Sequence, residues 1–292
     1  MISMKKEQAP GIIIMSISSM GIFIILFILF FLIKEGLPVL KEASLLSIVT
    51  GSDWYPTETP PALGMLPLIV GSVAVTILSS LLALPISLFI AIFISEIASE
   101  KMRNILKPIL ELLGFLPSII LGFLGMVLIA PWLQANFTIL SGLNLLNASI
   151  LLGFLIIPIV GSLAEEALSA VPLELRNASY ALGATRWETV SKVVFPAALP
   201  GILSACLLGI MRGMGETMVV LMAAGGAAII PASLFDPVRP LTSTIAAEMG
   251  ETPVGSPHYH ALFFAGLILL IITLAINLLS SWIESKRRVR LS

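Results

Sequence analysis

The sequence predicts an all-α integral membrane protein of six transmembrane helices, and three observations carry that prediction. Hydrophobic residues make up 58% of the 292 and charged residues only 11%, with a mean hydropathy of +1.06. A soluble domain carries roughly 25% charged residues, so this chain cannot build a water-facing surface and lipid must cover most of it. Six apolar stretches, near residues 11–33, 67–95, 108–132, 148–170, 198–224 and 260–282, are each long enough to span, since about 20 residues suffice. Each ends at charges, prolines or polar clusters. The third observation is the distribution of Lys and Arg. With both termini inside, the inner segments hold Lys5, Lys6, Lys101, Arg103, Lys107, Arg176, Arg186, Lys192, Lys286, Arg287, Arg288 and Arg290, whereas the outer ones hold only Lys34, Lys41 and Arg239. The positive-inside rule therefore predicts cytoplasmic termini and a cytoplasmic loop between spans four and five.

The first stretch, Gly11 to Ile33, follows Lys5 and Lys6 as a secretory leader would. A leader's apolar region is only roughly 7–15 residues and ends at a small-residue cleavage site, whereas here Lys34-Glu35-Gly36 follows. A retained helix is predicted, forming an N-terminal unit with the outer loop to residue 66, ahead of a five-helix core over 67–292. Pro85, Pro117 and Pro158 fall inside spans two, three and four. Each removes a backbone donor, so kinks are expected, compatible with plain bundle packing and with gating alike. Gly201, Ser204, Ala205, Gly209, Gly213 and Gly215 line the fifth span and permit close helix approach. No internal repeat of the kind seen in two-fold secondary transporters is evident. The single cysteine, Cys206, excludes a disulfide framework and reads as a small packing residue, and no Cys/His pattern with metal spacing occurs. Neither a metal nor another cofactor is expected.

The loop from Glu165 to Pro196 is long and polar, with Glu165, Glu166, Glu174 and Glu188 set against Arg176, Arg186 and Lys192. Pro172 suits the first turn of a helix, and good helix formers run from Leu173 to Leu182. Gly183 interrupts, free to take a positive φ, and Ala184 or Thr185 begins a second segment ending near Pro196. Two short helices meeting at a glycine would make a compact knob for a socket on a soluble partner.

Asn177-Ala178-Ser179-Tyr180-Ala181-Leu182-Gly183, then nine residues, then Val193-Val194-Phe195-Pro196, resembles the EAA loop of ABC importer permeases (E-A-A, three residues, G, nine residues, I-x-L-P). Asn177 stands where that pattern has glutamate, and Ser179 where it has alanine. Glu111 to Gly122, reading ELLGFLPSIILG, is similar to a stretch of the phosphate importer permeases, and Arg212 to Met218 resembles their R-x-x-G-E-T-M. Trp54-Tyr55-Pro56, Gly64, Pro67, Gly71 and Ser95-Glu96 look like the PstC-type subunit more than its PstA-type partner.

The resemblance implies a type I, MetI-like ABC importer permease bundle in the cell (inner) membrane. It implies that the loop is a coupling helix seated in a cytoplasmic ATPase through Asn177, Ala178, Gly183, Ala184, Thr185, Trp187 and Pro196. ATP hydrolysis would then lie on separate subunits, so the chain itself would be no enzyme and would carry no catalytic residues; no G-x-x-x-x-G-K-[ST] phosphate loop is present. The implied partners are a second permease subunit (PstA-like), two ATP-binding subunits (PstB-like) and a periplasmic or lipid-anchored phosphate-binding protein (PstS-like), with membrane lipid around them and no nucleic acid.

Counted from Pro200 at the inner face, Arg212 lies about 18 Å along the fifth span, near the bilayer midplane. A charge there costs about 2.5 kcal/mol or more, so it must be paired or hydrated. Glu216 follows four residues on, along the same helical face. Two readings stand: an ion pair that neutralises itself, or a translocation path lined by Arg212, Glu216 and Thr217, in which the guanidinium fork meets a phosphate oxyanion. Glu111 reads as an interfacial charge. The outer loop 34–66, with Asp53, Trp54 and Tyr55, and the outer loop 226–258, with Asp236, Arg239, Glu248 and Glu251, are candidates for docking a binding protein; for the first, interfacial aromatic anchoring serves as well. His258 and His260 read as interfacial, and the sequons at Asn136 and Asn147 as chance matches. An importer of molybdate, sulfate or phosphonate, and a channel or ion-coupled transporter without an ATPase, are the rival readings. An intramembrane enzyme finds no His/Asp/Ser constellation to support it.

Overall fold

The computed structural model describes the backbone of residues 3–287 and the side chains within 15–282 apart from 16 and 280. Lys5, Lys6, Lys286, Arg287, Arg288 and Arg290, which enter the orientation argument, lie outside the described side chains. In chain order the helices are α1 (Ser3–Gly36), α2 (Leu45–Thr50), α3 (Leu66–Ile92), α4 (Glu100–Leu113), α5 (Ser118–Leu124), α6 (Ala130–Phe137), α7 (Leu145–Ser169), α8 (Leu173–Ala181), α9 (Arg186–Thr189), α10 (Phe195–Met214), α11 (Met218–Ala223), α12 (Leu241–Glu248) and α13 (Pro257–Arg287). Strands β1 (Trp54–Tyr55) and β2 (Ala62–Leu63) form a small antiparallel hairpin. Among the described residues six helical segments are long and apolar enough to cross a membrane: Ile17–Lys41, Leu66–Ile97, Ser118–Phe137, Leu145–Ser169, Arg186–Met214 and Pro257–Leu279. The expected all-α architecture is therefore present.

Helix α7 is the central post. Asn144 caps it by accepting from the Asn147 amide at 3.0 Å, satisfying one of the donors a helix start leaves free. Its buried Leu152, Ile156 and Val160 pack in one cluster with Val75 and Ala83 of α3 and with Ile202 and Ala205 of α10. Small residues set the spacing. A Cβ on Gly209 would come within 2.3 Å of Val160 Cγ2, and one on Gly201 within 2.6 Å of Ala167 Cβ. Gly215, by contrast, is exposed and has no comparable neighbour. Overpacking of this kind costs typically about 1–3 kcal/mol. Gly209→Leu is therefore expected to cut the yield of monodisperse, detergent-solubilised protein several-fold, with Gly215→Ala close to wild type; equal yields on size exclusion would contradict the packing.

A second cluster, including Val39, Ile48, Trp54, Leu63, Met65, Leu68, Leu241, Leu262 and Leu267, ties α1, the β-hairpin, the start of α3, α12 and α13 together. It closes the end of the bundle opposite α8 and α9.

Two helices are interrupted where the sequence suggested continuity. Residues 108–113 belong to α4, whose Leu110 packs on Gly161 of α7 while Ile105, Ile109 and Leu112 stay exposed. The chain then breaks at Gly114–Pro117, and the third span starts at Ser118. Pro117 is thus the N-cap of α5 and not an interior kink; lacking an N–H, proline loses nothing at a helix start. Pro85 and Pro158 do lie inside α3 and α7. The fifth span ends at Met214 instead of running to 224, because Gly215–Thr217 leave the helix before α11 begins. Both breaks sit beside the middle of α7: a Cβ on Gly114 would lie 3.8 Å from Pro158, and one on Gly213 3.0 Å from Ile156.

Candidate translocation and coupling sites

The interruption between α10 and α11 is held by Glu216. Its carboxylate accepts from the Met218 amide at 3.2 Å, from the Val219 amide at 3.4 Å and from Arg212 Nη1 at 2.7 Å. Its own carbonyl accepts from the Thr242 hydroxyl of α12 at 2.8 Å. The Glu216 side chain is only 3% exposed, whereas that of Arg212 is 46% exposed. That asymmetry decides how the pair can act. An ion pair closed on itself would bury both partners; here the carboxylate is fixed by backbone amides and the guanidinium turns its free edge outward. Among the described residues no other protein acceptor meets the remaining Arg212 donors. Leu208 and Arg212 are exposed one turn apart on α10, and Gly215 is exposed at its end. Thr217 is half-buried, its hydroxyl turned back toward the Gly215 carbonyl at 3.4 Å.

At the α8–α9 end the expected knob is present. Gly183 takes φ +84°, with nothing within 4 Å of where a Cβ would stand. Thr185 opens α9 with a capping box: it accepts from the Glu188 amide at 3.3 Å while Glu188 Oε2 accepts from the Thr185 amide at 3.0 Å. The buried Ser179 and Thr189 hydroxyls lie 2.9 Å apart and fasten the two helices. Asn177, Ala178, Tyr180, Leu182 and Trp187 are exposed, Ala184 is half-buried, and Pro196 is exposed in the first turn of α10. Leu182 at 90% and Trp187 at 66% exposure leave a bare apolar tip.

Sequence reasoning missed what anchors this knob. The wide π-helical turn Phe93–Ile97, which ends the second span, carries the buried Glu96. Arg176 Nη1 reaches both Glu96 oxygens, at 2.6 and 2.7 Å. Nearby, Lys107 Nζ lies 2.7 Å from Glu165 Oε2, and this hydrogen-bonded contact holds the Lys107 ammonium above its ordinary pKa. The available signal was charge placement: Glu96 and Glu165 end apolar spans, and Lys107 and Arg176 lie in the segments that flank them.

At the opposite end Glu248 gathers four groups. It accepts from Trp54 Nε1 at 3.2 Å, meets His258 Nε2 at 2.8 Å, pairs with Arg239, and lends its carbonyl to the Thr252 hydroxyl at 2.7 Å. A cavity of about 380 Å³ opens beside them. Trp54 and Glu248, two of the docking candidates, are thus brought together. Asp53 is exposed next to them in sequence, but Asp236 stands apart, its carboxylate accepting the Ala232 and Ser233 amides of its own loop. His260 is tied to the Glu35 carbonyl at 2.7 Å. Asn147 is buried, with its amide donating to the Gly125 and Gly142 carbonyls.

Residues 83–289 match the family described as binding-protein-dependent transport system inner membrane component. The chain belongs to that family. It is 39% identical over 251 residues to a probable ABC transporter permease protein, YqgH, of Bacillus subtilis, covering 86% of this chain and 81% of that one. It is 30% identical over 295 residues, 93% of each chain, to a probable phosphate transport system permease protein PstC of Methanocaldococcus jannaschii. Among solved structures, an inward-facing MetNI methionine ABC transporter matches with a TM-score of 0.60 at 23% identity, over 76% of this chain and 97% of that one. A bacterial alginate ABC transporter matches with the same TM-score at 15% identity, over 90% and 92%. At such identities these two likenesses concern the fold, which is that of an ABC importer permease. The permease is a multi-pass inner membrane component, a transport subunit rather than an enzyme.

Proposed function

We propose that this chain is the PstC-type permease subunit of an ATP-driven importer carrying inorganic phosphate into the cell. The observation that carries the reading is the Arg212–Glu216 pair at the mid-bundle break, with one member buried and the other presenting its guanidinium to an open face. A guanidinium binds two phosphate oxygens at once through its fork. Half-neutralised by Glu216, it would hold the ion weakly, as a path residue must if the ion is to leave. The phosphate transport names of several relatives support the same substrate.

The exposed face of α10 from Leu208 through Arg212 to Gly215 is the one that a second, PstA-like permease subunit would complete into a path. The bare tip at Leu182 and Trp187 suits a groove in one of two PstB-like ATP-binding subunits, the other serving the second permease. The surface around the cavity that Glu248 and the buried Trp54 border with the exposed Tyr55 would meet a periplasmic or lipid-anchored phosphate-binding protein. Both termini would then be cytoplasmic. ATP binding closes the ATPases, the α8–α9 knob carries the motion into the bundle, the path opens outward, and phosphate passes Arg212 before hydrolysis resets the path.

Uptake of labelled phosphate, molybdate and sulfate by cells lacking the chain, with and without its restoration, tests the substrate. Phosphate uptake alone is expected to return. Recovery of molybdate or sulfate uptake instead would keep the importer architecture and overturn phosphate as the cargo.

A further inference from the structure

We infer that the Glu96–Arg176 ion pair is the element that makes the α8–α9 knob move as one body with the inner ends of spans two and four. The inference rests on the coupling role proposed for that knob.

Three arginines from three separate elements converge on the turn Phe93–Ile97. Arg103 of α4 donates to the Ile94 carbonyl at 3.1 Å and to the Ser95 carbonyl, Arg176 of α8 takes the Glu96 carboxylate, and Arg186 of α9 donates to the Glu96 carbonyl. The last carbonyls of a helix have no partner of their own, so guanidiniums are suited to them by geometry and by the helix dipole. Two of the three come from the knob, 80 and 90 residues away along the chain. Arg176 also donates to the Leu168 carbonyl of α7 at 2.8 Å, so one side chain clamps both spans. The contact continues sideways: Ser95 Oγ donates to Glu96 at 2.9 Å and lies 3.3 Å from Ser169 Oγ, which donates to Glu165 at 2.7 Å, and Glu165 meets Lys107 of α4.

The junction is not closed by packing alone. A cavity of about 230 Å³ lies on one side, lined by Ile92, Glu96, Ile97, Arg186, Trp187 and Val190. Another of about 510 Å³ lies on the other, bordered by Ser95, Arg103, Ser169 and Arg176. With open clefts on both sides, the directional contacts add to the packing of the buried Val190 and Val194 in fixing the knob against span two. The pair is also well shielded, with side chains 8% and 15% exposed for Glu96 and Arg176, so solvent screens it little. Glu96 and Arg176 are positioning residues: they touch neither cargo nor nucleotide.

The test uses the complete transporter, reconstituted with its second permease, ATPases and phosphate-loaded binding protein, and reads phosphate moved per ATP hydrolysed. Glu96→Gln and Arg176→Gln are each expected to lower that ratio about tenfold, within the range that network residues impose on coupling, while the ATPases still copurify. The double variant should fall no further than the lower single, since both remove one contact. Arg176→Lys keeps the charge but loses the fork and the Leu168 bond, and should give an intermediate ratio. A role in stability alone would reduce the amount of complex and leave the ratio unchanged, which overturns the inference. If the glutamine variants do not assemble, Arg176→Lys decides by the same ratio. Leu182→Ala, at the exposed tip and outside both cavities, separates the knob's docking from its attachment. Should it release the ATPases while Glu96→Gln keeps the full ratio, only this inference fails. Should it retain them with normal transport, the coupling role fails and the inference with it.

Discussion

Arg212→Ala is expected to reduce phosphate uptake by roughly a hundredfold while the ATPases still copurify with the chain. Each charge-assisted hydrogen bond that the guanidinium would give the ion is worth about 1.5–3 kcal/mol, and each 1.4 kcal/mol corresponds to about a factor of ten. Glu216 is the buried member, so the single variant strands its carboxylate as well as emptying the path. Two further variants separate these effects. Arg212→Ala combined with Glu216→Gln removes the stranded charge; restored uptake would mean that Arg212 only balances Glu216. Arg212→Lys keeps the balance but loses the fork, and a path role predicts that uptake stays well below wild type. Copurification of the ATPases should be unaffected throughout, because the break between α10 and α11 lies near the middle of α7, far along the bundle from the α8–α9 end.

Gly183→Val should have an effect of similar size by another route. The φ of +84° at Gly183 is costly for any residue with a Cβ, about 1–2 kcal/mol, and more for a β-branched one. Nothing lies within 4 Å of the missing Cβ, so the penalty falls on the backbone of the knob and not on a neighbour. A valine is expected to reshape the turn between α8 and α9 and to release the ATPases, seen as their loss from the purified complex. Gly183→Asn, which tolerates a left-handed conformation, should retain them. A Gly183→Val chain that kept both its ATPases and normal uptake would show that the knob is not the coupling element.

The fold was legible in the sequence because lipid imposes a coarse rule that composition reveals at once. Runs of about 20 apolar residues can be read without any knowledge of their partners. Interruptions are harder. The stretch from 108 to 132 is apolar throughout its middle, yet α4 ends at Leu113, where Gly114 and Pro117 bracket a turn lying beside Pro158 of α7. The fifth span likewise stops at Met214, since Glu216 caps α11 with its carboxylate and Thr242 secures its carbonyl. The Thr242 contact has no local sequence signature, since it lies 26 residues away.

The candidate sites divide in the same way. Arg212, Glu216 and Gly183 stood out because a charge at membrane depth and a glycine between two helix-forming runs are each locally anomalous. Glu96 and Arg176 did not, because an acid at one span's end and an arginine in a polar loop are ordinary until the fold brings them to 2.6 Å. Asp236 is a ready docking candidate as an acid in an outer loop, and only the folded loop shows its carboxylate accepting the Ala232 and Ser233 amides.

The most direct measurement is labelled phosphate uptake into proteoliposomes holding the assembled transporter, with loaded binding protein outside and ATP supplied or withheld within. Uptake should require ATP and this chain, and should be lost with Arg212→Ala. Phosphate uptake that persisted without ATP, or that the Arg212→Ala variant supported at the wild-type rate, would contradict the proposed function.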